Sequence, residues 1–197
     1  NIESAASAPS RRPSSRPRSR KTTKQKKKKL KEGGALLNRV IFLDIDGVLA
    51  PFGGDDPPIP GSDANFAPFP AAALRRLAAI VEEADAAIVL SSSWRASDAA
   101  KAVILERFRA FGPPLSDALR GETGKAHAPR QWEIASWLRL HKPAAWVALD
   151  DENLVDGPEN RRYRDLFRDR ALLVDSSLGL QDAHVAAAIS LLQCSDR

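Results

Sequence analysis

The chain has 197 residues, which is enough for one well-buried core and too few for two. Its composition, 43% hydrophobic and 28% charged, is ordinary for a soluble globular domain, and no apolar run could span a bilayer or serve as a secretory signal. The net charge of +5 is unevenly spread, because residues 1–39 carry +11 and residues 40–197 carry −6. We therefore expect a soluble intracellular protein without a membrane partner. The single Cys194, which cannot form an internal disulfide, fits a reducing compartment.

Residues 1–35 are low in complexity, rich in Ser, Pro, Arg and Lys and almost free of large apolar side chains. Ordering them would bury too little to offset the loss of chain entropy, so we predict a disordered basic tail ahead of a folded domain over residues 36–197. The run KQKKKK is equally typical of a solvated linker and of an arm that contacts nucleic acid or directs nuclear import. Because the chain begins at Asn1 and has no Met, we also expect its true start to be missing.

From Leu36 onward, short apolar runs alternate with amphipathic segments. The runs predict buried parallel strands, and the segments predict helices with one apolar face. Strands that alternate with helices of this length pair in parallel through right-handed crossovers, with helices on both faces of the sheet. In chain order we predict strand 38–43, loop 50–69, helix 70–85, strand 86–90, helix 97–111, irregular residues 115–129, helix 130–141, strand 146–149, strand 172–174 and helix 181–192.

Polar residues directly follow three of the predicted strands. Asp44 follows the first, Ser91 the second and Asp150 the third. In open parallel sheets the ligand site lies beyond the carboxyl ends of the strands. We therefore expect these three groups to converge at one edge of the sheet.

The segment Asp44-Ile45-Asp46-Gly47 is the strongest chemical signal in the chain. Two carboxylates two residues apart at a strand end can face one pocket if Gly47 permits a tight turn. One can attack a phosphoryl group and form an aspartyl phosphate, while the other protonates the leaving oxygen and later activates water. The ordinary alternative is an Asp pair that caps a turn.

The residues after the second and third strands suit a phosphate and its metal. Ser91 and Ser92 offer donors for phosphoryl oxygens, and Ser93 or Ser97 can cap the next helix instead. Asp150 and Asp151 supply the hard oxygen ligands that Mg²⁺ prefers.

A cation should also contact the transferring phosphoryl group. Arg130, at the start of the helix before the third strand, is our preferred candidate, and Lys125 in the preceding loop is the alternative. Arg95 follows the serines directly, so it could bind a substrate phosphate or form a salt bridge with Asp98 or another acid at a helix start.

These residues resemble the four motifs of the haloacid dehalogenase (HAD) superfamily, in the expected order, over about residues 39–192. The sequence segments LDIDGVL, LSSSWR, EIASWL and VALDDENL are similar to those of HAD domains grouped with nucleic-acid repair proteins. The motifs are, in order, Asp44-x-Asp46-Gly47, Ser91 or Ser92, Arg130 or Lys125, and Asp150-Asp151.

The resemblance implies a Rossmann-like three-layer αβα sandwich with a mainly parallel sheet, and a Mg²⁺ cofactor. It implies that Asp44 is the attacking carboxylate and that the main-chain carbonyl of Asp46, together with Asp150, completes the metal site. A second Asp at Asp46 implies phosphatase chemistry rather than dehalogenation.

The chain has room for only a minimal cap, in the 50–69 loop and the 112–129 segment, and such an open site suits a bulky substrate. We predict a Mg²⁺-dependent phosphatase that acts on a phosphorylated nucleic-acid end or a phosphoprotein. The alternatives are a catalytically idle HAD-fold module that binds nucleic acid through its basic tail, and a phosphotransferase.

Overall fold

A computed structural model of the protein describes residues 37–52, 69–124, 128–158 and 160–194. The predictions for the basic tail, for most of the 50–69 loop and for Lys125 lie outside these ranges.

The fold is built on a parallel sheet whose strand order is β3-β2-β1-β4-β5. This order puts β1 at the centre, between β2 and β4, and it confirms the predicted α/β fold. The five strands are β1 (Arg39–Leu43), β2 (Ala87–Leu90), β3 (Leu119–Glu122), β4 (Ala145–Asp150) and β5 (Ala171–Leu173).

Helices cover both faces of the sheet, as predicted for a three-layer sandwich. The four long helices begin and end within one residue of the predicted bounds, since their apolar periodicity and flanking residues are local signals. The helices are α1 (Ala71–Ala84), α2 (Asp98–Phe111), α3 (Leu115–Ala118), α4 (Arg130–His141), α5 (Arg164–Phe167) and α6 (Asp182–Gln193), with a 3₁₀ turn at Ser93–Ala96 between β2 and α2.

Alternation along the strands divides the core into two clusters. Ile41 and Leu43 face a cluster that includes residues of α1, α2 and α6. Phe42 faces the other, where Trp137 and Trp146 meet its ring edge-on at centroid distances of 5.3 and 5.8 Å. Within the described ranges, every helix is too short or too polar to cross a membrane.

The prediction that residues 115–129 are irregular is wrong for their first half. They contain α3 and the edge strand β3, whose one partner among the described strands is β2. The four residues of β3 are Leu-Arg-Gly-Glu, and none of them is fully buried. An edge strand with one apolar residue has no periodic signal that sequence analysis can detect.

Candidate active site

Three carboxylates meet at the carboxyl edge of the central strands. Leu43 of β1 pairs in register with Leu149 of β4, so the next residues, Asp44 and Asp150, become neighbours. The side chain of Asp151 joins them, and one carboxylate oxygen from each of the three Asp residues lies within 4.8 Å of the others. The predicted convergence of Asp44 and Asp150 is therefore confirmed, and Asp151 lies with them.

The turn after Asp44 needs a glycine at position 47 for two reasons. Gly47 has φ +70°, a left-handed conformation that side chains with a Cβ rarely adopt. A Cβ on this residue would also lie 2.4 Å from Oδ2 of Asp151. Gly47 thus allows both the tight turn that the sequence predicted and the close approach of the Asp151 carboxylate to the backbone.

Arg130 lies against the same carboxylates. It is the first residue of α4, and its Nη1 lies 3.1 Å from Oδ1 of Asp44 and 2.6 Å from Oδ2 of Asp150. Its Nη2 lies 4.0 Å from a carboxylate oxygen of Glu152. Burial lowers the pKa of Arg130, but the nearby carboxylates, of which Asp150 has the largest effect, raise it by a greater amount. The net shift of the pKa is upward. Arg130 is thus a permanent cation beside Asp44, and its assignment to the third motif stays a prediction.

The site holds more negative than positive charge. Burial, opposed by Arg130 and reinforced by Asp44, raises the pKa of Asp150 to about 7. Burial and the neighbouring Asp44 also raise the pKa of Asp151. One guanidinium therefore does not balance the carboxylates, and a compact set of hard oxygen donors of this kind fits Mg²⁺.

Asp46 faces Trp94 and is not part of the three-carboxylate set. The indole Nε1–H of Trp94 donates to Oδ2 of Asp46 over 2.9 Å. Burial raises the pKa of Asp46, the hydrogen bond from Trp94 lowers it, and Asp44 raises it, with an upward net shift. A half-buried carboxyl with a raised pKa suits a general acid. Its metal role through the main-chain carbonyl stays a prediction.

The contact between Trp94 and Asp46, which are 48 residues apart, was not predicted from the sequence. The only signal was the position of Trp94 directly after the serines of the second strand end. Trp94 is buried and packs against Phe69, with ring centroids 5.7 Å apart. Packing therefore positions the indole independently of its hydrogen bond to Asp46.

The two candidate phosphate-binding serines differ in their surroundings. The hydroxyl of Ser91 is buried and has no hydrogen-bond partner among the described residues. The hydroxyl of Ser92 accepts a hydrogen bond from the backbone N–H of Trp94 over 3.3 Å. Of the two proposed caps for α2, Ser97 fills the role, since it accepts from the N–H of Ala100. Ser91 is thus the better candidate for a phosphoryl oxygen.

Arg95 is engaged by the protein itself. Its Nη1 donates to the carbonyl of Ser91 over 2.6 Å and to that of Ser92, and its Nη2 donates to the carbonyl of Gly124 over 3.3 Å and pairs with Glu133 of α4. Glu133 lies in the first turn of α4, so it is one of the acids at a helix start that were predicted as alternative partners of Arg95. Arg95 therefore joins the ends of β2 and β3 to α4, and its phosphate-binding role stays a prediction.

A cleft of about 610 Å³ opens beside this site, between the 3₁₀ turn after β2 and the start of α4. Arg130 lines the cleft and also contacts Asp44 and Asp150, so a group in the cleft lies close to the carboxylates. The lining residues are Ser93, Arg95, Ala96, Ala128, Pro129, Arg130, Glu133 and Glu152.

A family model described as the HAD domain in Swiss Army Knife RNA repair proteins matches residues 40–185. The match agrees with the resemblance drawn from the motifs, and it supports a HAD-type phosphatase or hydrolase in general. No curated protein and no solved structure gives a significant match to the chain.

Proposed function

This chain belongs to the family of HAD domains found in Swiss Army Knife RNA repair proteins, and from that premise we propose that it is a Mg²⁺-dependent phosphatase. Its substrate is a bulky phosphomonoester, either a phosphorylated nucleic-acid end or a phosphoprotein, and Asp44 forms an aspartyl-phosphate intermediate. The observation that carries the proposal is the contact of one cation, Arg130, with both Asp44 and Asp150 at the sheet edge.

In the first step, a carboxylate oxygen of Asp44 attacks the phosphorus atom of the substrate. The bond from phosphorus to the Asp44 oxygen forms, the bond to the leaving oxygen breaks, and Asp46 gives its proton to that oxygen. The raised pKa of Asp46 supports this role, because it increases the fraction of Asp46 that carries a proton.

In the second step, Asp46 takes a proton from a water molecule, and the water oxygen attacks phosphorus. The bond to Asp44 breaks, and inorganic phosphate leaves. The bond from Trp94 keeps the Asp46 carboxyl facing the reacting groups during both proton transfers.

Two further groups act on the phosphoryl oxygens. Arg130, which lies between Asp44 and Asp150, offsets the charge that develops on these oxygens. The unpartnered hydroxyl of Ser91, at the end of the strand beside β1, donates to one of them.

The Mg²⁺ ion would be held by the carboxylates of Asp44, Asp150 and Asp151, with the main-chain carbonyl of Asp46. When bound, the ion supplies positive charge that offsets the repulsion between an anionic substrate and these carboxylates.

The test is phosphate release from an aryl phosphate, from phosphopeptides and from oligonucleotides phosphorylated at the 3′ or 5′ end, each with and without Mg²⁺. We expect release that needs Mg²⁺ and is lost in Asp44→Asn. The matched control is Asp169→Asn, which removes an exposed carboxylate on the segment before β5. Turnover that survives in Asp44→Asn would remove the nucleophile assignment, whereas binding without any turnover would favour the idle nucleic-acid-binding module.

A further inference from the structure

A short turn between β4 and α5, formed by residues 160–163, carries two exposed arginines, Arg161 and Arg162. Asn160, at the start of this turn, is 2% exposed, and its amide donates to the carbonyls of Asn153 and Asp156 over 2.8 and 2.6 Å. The N–H of Tyr163 bonds back to the carbonyl of Asn160 over 2.8 Å. The turn is therefore fixed by a buried side chain and by its own backbone.

The turn lies beside the start of α4, which carries the catalytic cation. The amide of Gln131, a buried residue, donates to Oδ1 of Asn160 over 2.5 Å. Gln131 directly follows Arg130, which contacts Asp44 and Asp150. A single side-chain contact thus joins the arginine-bearing turn to the edge of the active site.

Residues 160–170 contain five arginines and two aspartates, and three of the arginines have partners. Arg164 and Arg168 lie within 3.5 and 3.1 Å of aspartates, and Arg170 donates to a backbone carbonyl over 3.1 Å. No carboxylate of the described ranges lies within ion-pair distance of Arg161 or Arg162. The guanidinium of Arg162 lies 5.6 Å from the centroid of the Tyr163 ring.

We propose that Arg161 and Arg162 bind the phosphodiester backbone of a nucleic-acid strand whose terminal phosphate occupies the Asp44 site. The inference rests on the proposed function and deepens it, because it selects a nucleic-acid end over a phosphoprotein. A strand carries further anionic phosphates beside its reacting end, whereas a phosphopeptide need not. Arginine forks bind phosphate oxygens well, and residues 40–197 carry a net charge of −6, so an extended polyanion needs a local basic surface.

The test compares the double variant Arg161→Ala/Arg162→Ala with the full wild-type chain on two substrates, a phosphorylated decanucleotide and an aryl phosphate. We expect KM for the decanucleotide to rise about tenfold, and the slope of log(kcat/KM) against log[salt] to become shallower by about 1 to 2. Kinetics on the aryl phosphate should not change, because it has no backbone to bind.

The matched control is Arg75→Ala/Arg109→Ala, which removes two exposed arginines from α1 and α2. It should leave both the KM and the salt slope as in the wild type. The variant Arg161→Lys/Arg162→Lys keeps the charges and should retain most of the salt slope. The basic residues 1–35 are present in every variant, so any contribution from them cancels in the comparison.

Equal decanucleotide kinetics in the double variant and in its control would overturn the inference. So would an equal rise of KM on a phosphopeptide, because the surface would then not distinguish a nucleic-acid backbone. If the wild type turns over neither substrate, the proposed function has failed, and the inference is tested separately by fluorescence anisotropy. In that assay the labelled decanucleotide should bind the arginine double variant about tenfold more weakly than the control, and equal binding would overturn the inference.

Discussion

Two arginines at the same edge of the sheet, Arg95, which is buried, and Arg130, which is partly buried, have opposite surroundings. Within the part of the chain that the structure describes, Arg95 pairs with one carboxylate, that of Glu133, and donates to the backbone carbonyls of Ser91, Ser92 and Gly124. Arg130 faces three carboxylates, those of Asp44, Asp150 and Glu152. The first arginine is matched charge for charge, whereas the second lies in a region with excess negative charge.

The difference indicates that Arg95 has a structural role and that the region around Arg130 has a catalytic role. A buried ion pair is costly to break, and the pair of Arg95 and Glu133 needs no charge from outside the protein, although Nε of Arg95 has no hydrogen-bond partner among the described residues. A buried group of carboxylates that exceeds its cations is unfavourable until a ligand adds positive charge, and such imbalance is typical of functional sites. Substitution of Arg95 should therefore lower the stability of the protein, and substitutions around Arg130 should lower its activity.

The largest expected effect is on activity, in Asp44→Asn. Loss of the proposed nucleophile should lower kcat on the order of 10⁴-fold or more. In the absence of metal the same variant should be at least as stable as the wild type, because it removes one of several crowded negative charges. Activity assays and urea unfolding without metal check the two halves. A large loss of stability together with activity would contradict the distinction between a structural Arg95 and a catalytic Arg130 region.

The next effect is on stability, in Arg95→Ala. This change leaves Glu133 buried without its cation and frees the carbonyls that Arg95 binds, so the free energy of unfolding should fall by about 3–5 kcal/mol. Urea denaturation measures it. The control Arg76→Ala breaks an exposed pair with Asp182, at 2.7 Å, and should cost far less. Similar losses in the two variants would show that the buried pair is no more structural than a surface one.

Arg130→Lys tests the unbalanced side of the comparison. It keeps the positive charge but removes the planar group that meets Asp44 and Asp150 together. We expect kcat/KM to fall about 10²-fold, with little change in the urea midpoint. If the urea midpoint falls as far as in Arg95→Ala, then the Arg130 region has a structural role as well.

The smallest effect is a pH dependence of metal binding. Burial holds the pKa of Asp150 at about 7 in the metal-free protein, so Mg²⁺ must displace a proton below that pH. Apparent Mg²⁺ affinity should fall by up to tenfold per pH unit as the pH drops below 7, as measured by calorimetric titration. Affinity that does not vary between pH 5 and 8 would contradict this.

The raised pKa of Asp150 also makes the stability of the metal-free protein depend on pH. A carboxyl whose pKa is raised on folding holds its proton more tightly in the folded state. Its contribution to stability is therefore fully present below about pH 4 and is lost as the pH rises through about 7. Asp150→Asn should remove this component from the pH profile of thermal unfolding.

The sequence by itself determined the framework of the site. The apolar runs before Asp44, Ser91 and Asp150 predicted the strands, and the rule for parallel sheets then predicted one shared edge. These signals are local, because a central strand is buried on both faces and its composition records that burial. Gly47 was predictable for the same reason, since the turn it allows involves only its neighbours.

Only the tertiary structure decided which side chains meet across that edge. The partner of Arg95 is Glu133, 38 residues away, and the bond from Trp94 to Asp46 spans 48 residues. The edge strand β3 and the contact of Arg130 with Asp44 were likewise settled by packing. The physical reason is that sequence periodicity fixes which face of an element is apolar, while the distance between two polar side chains depends on how whole elements pack together.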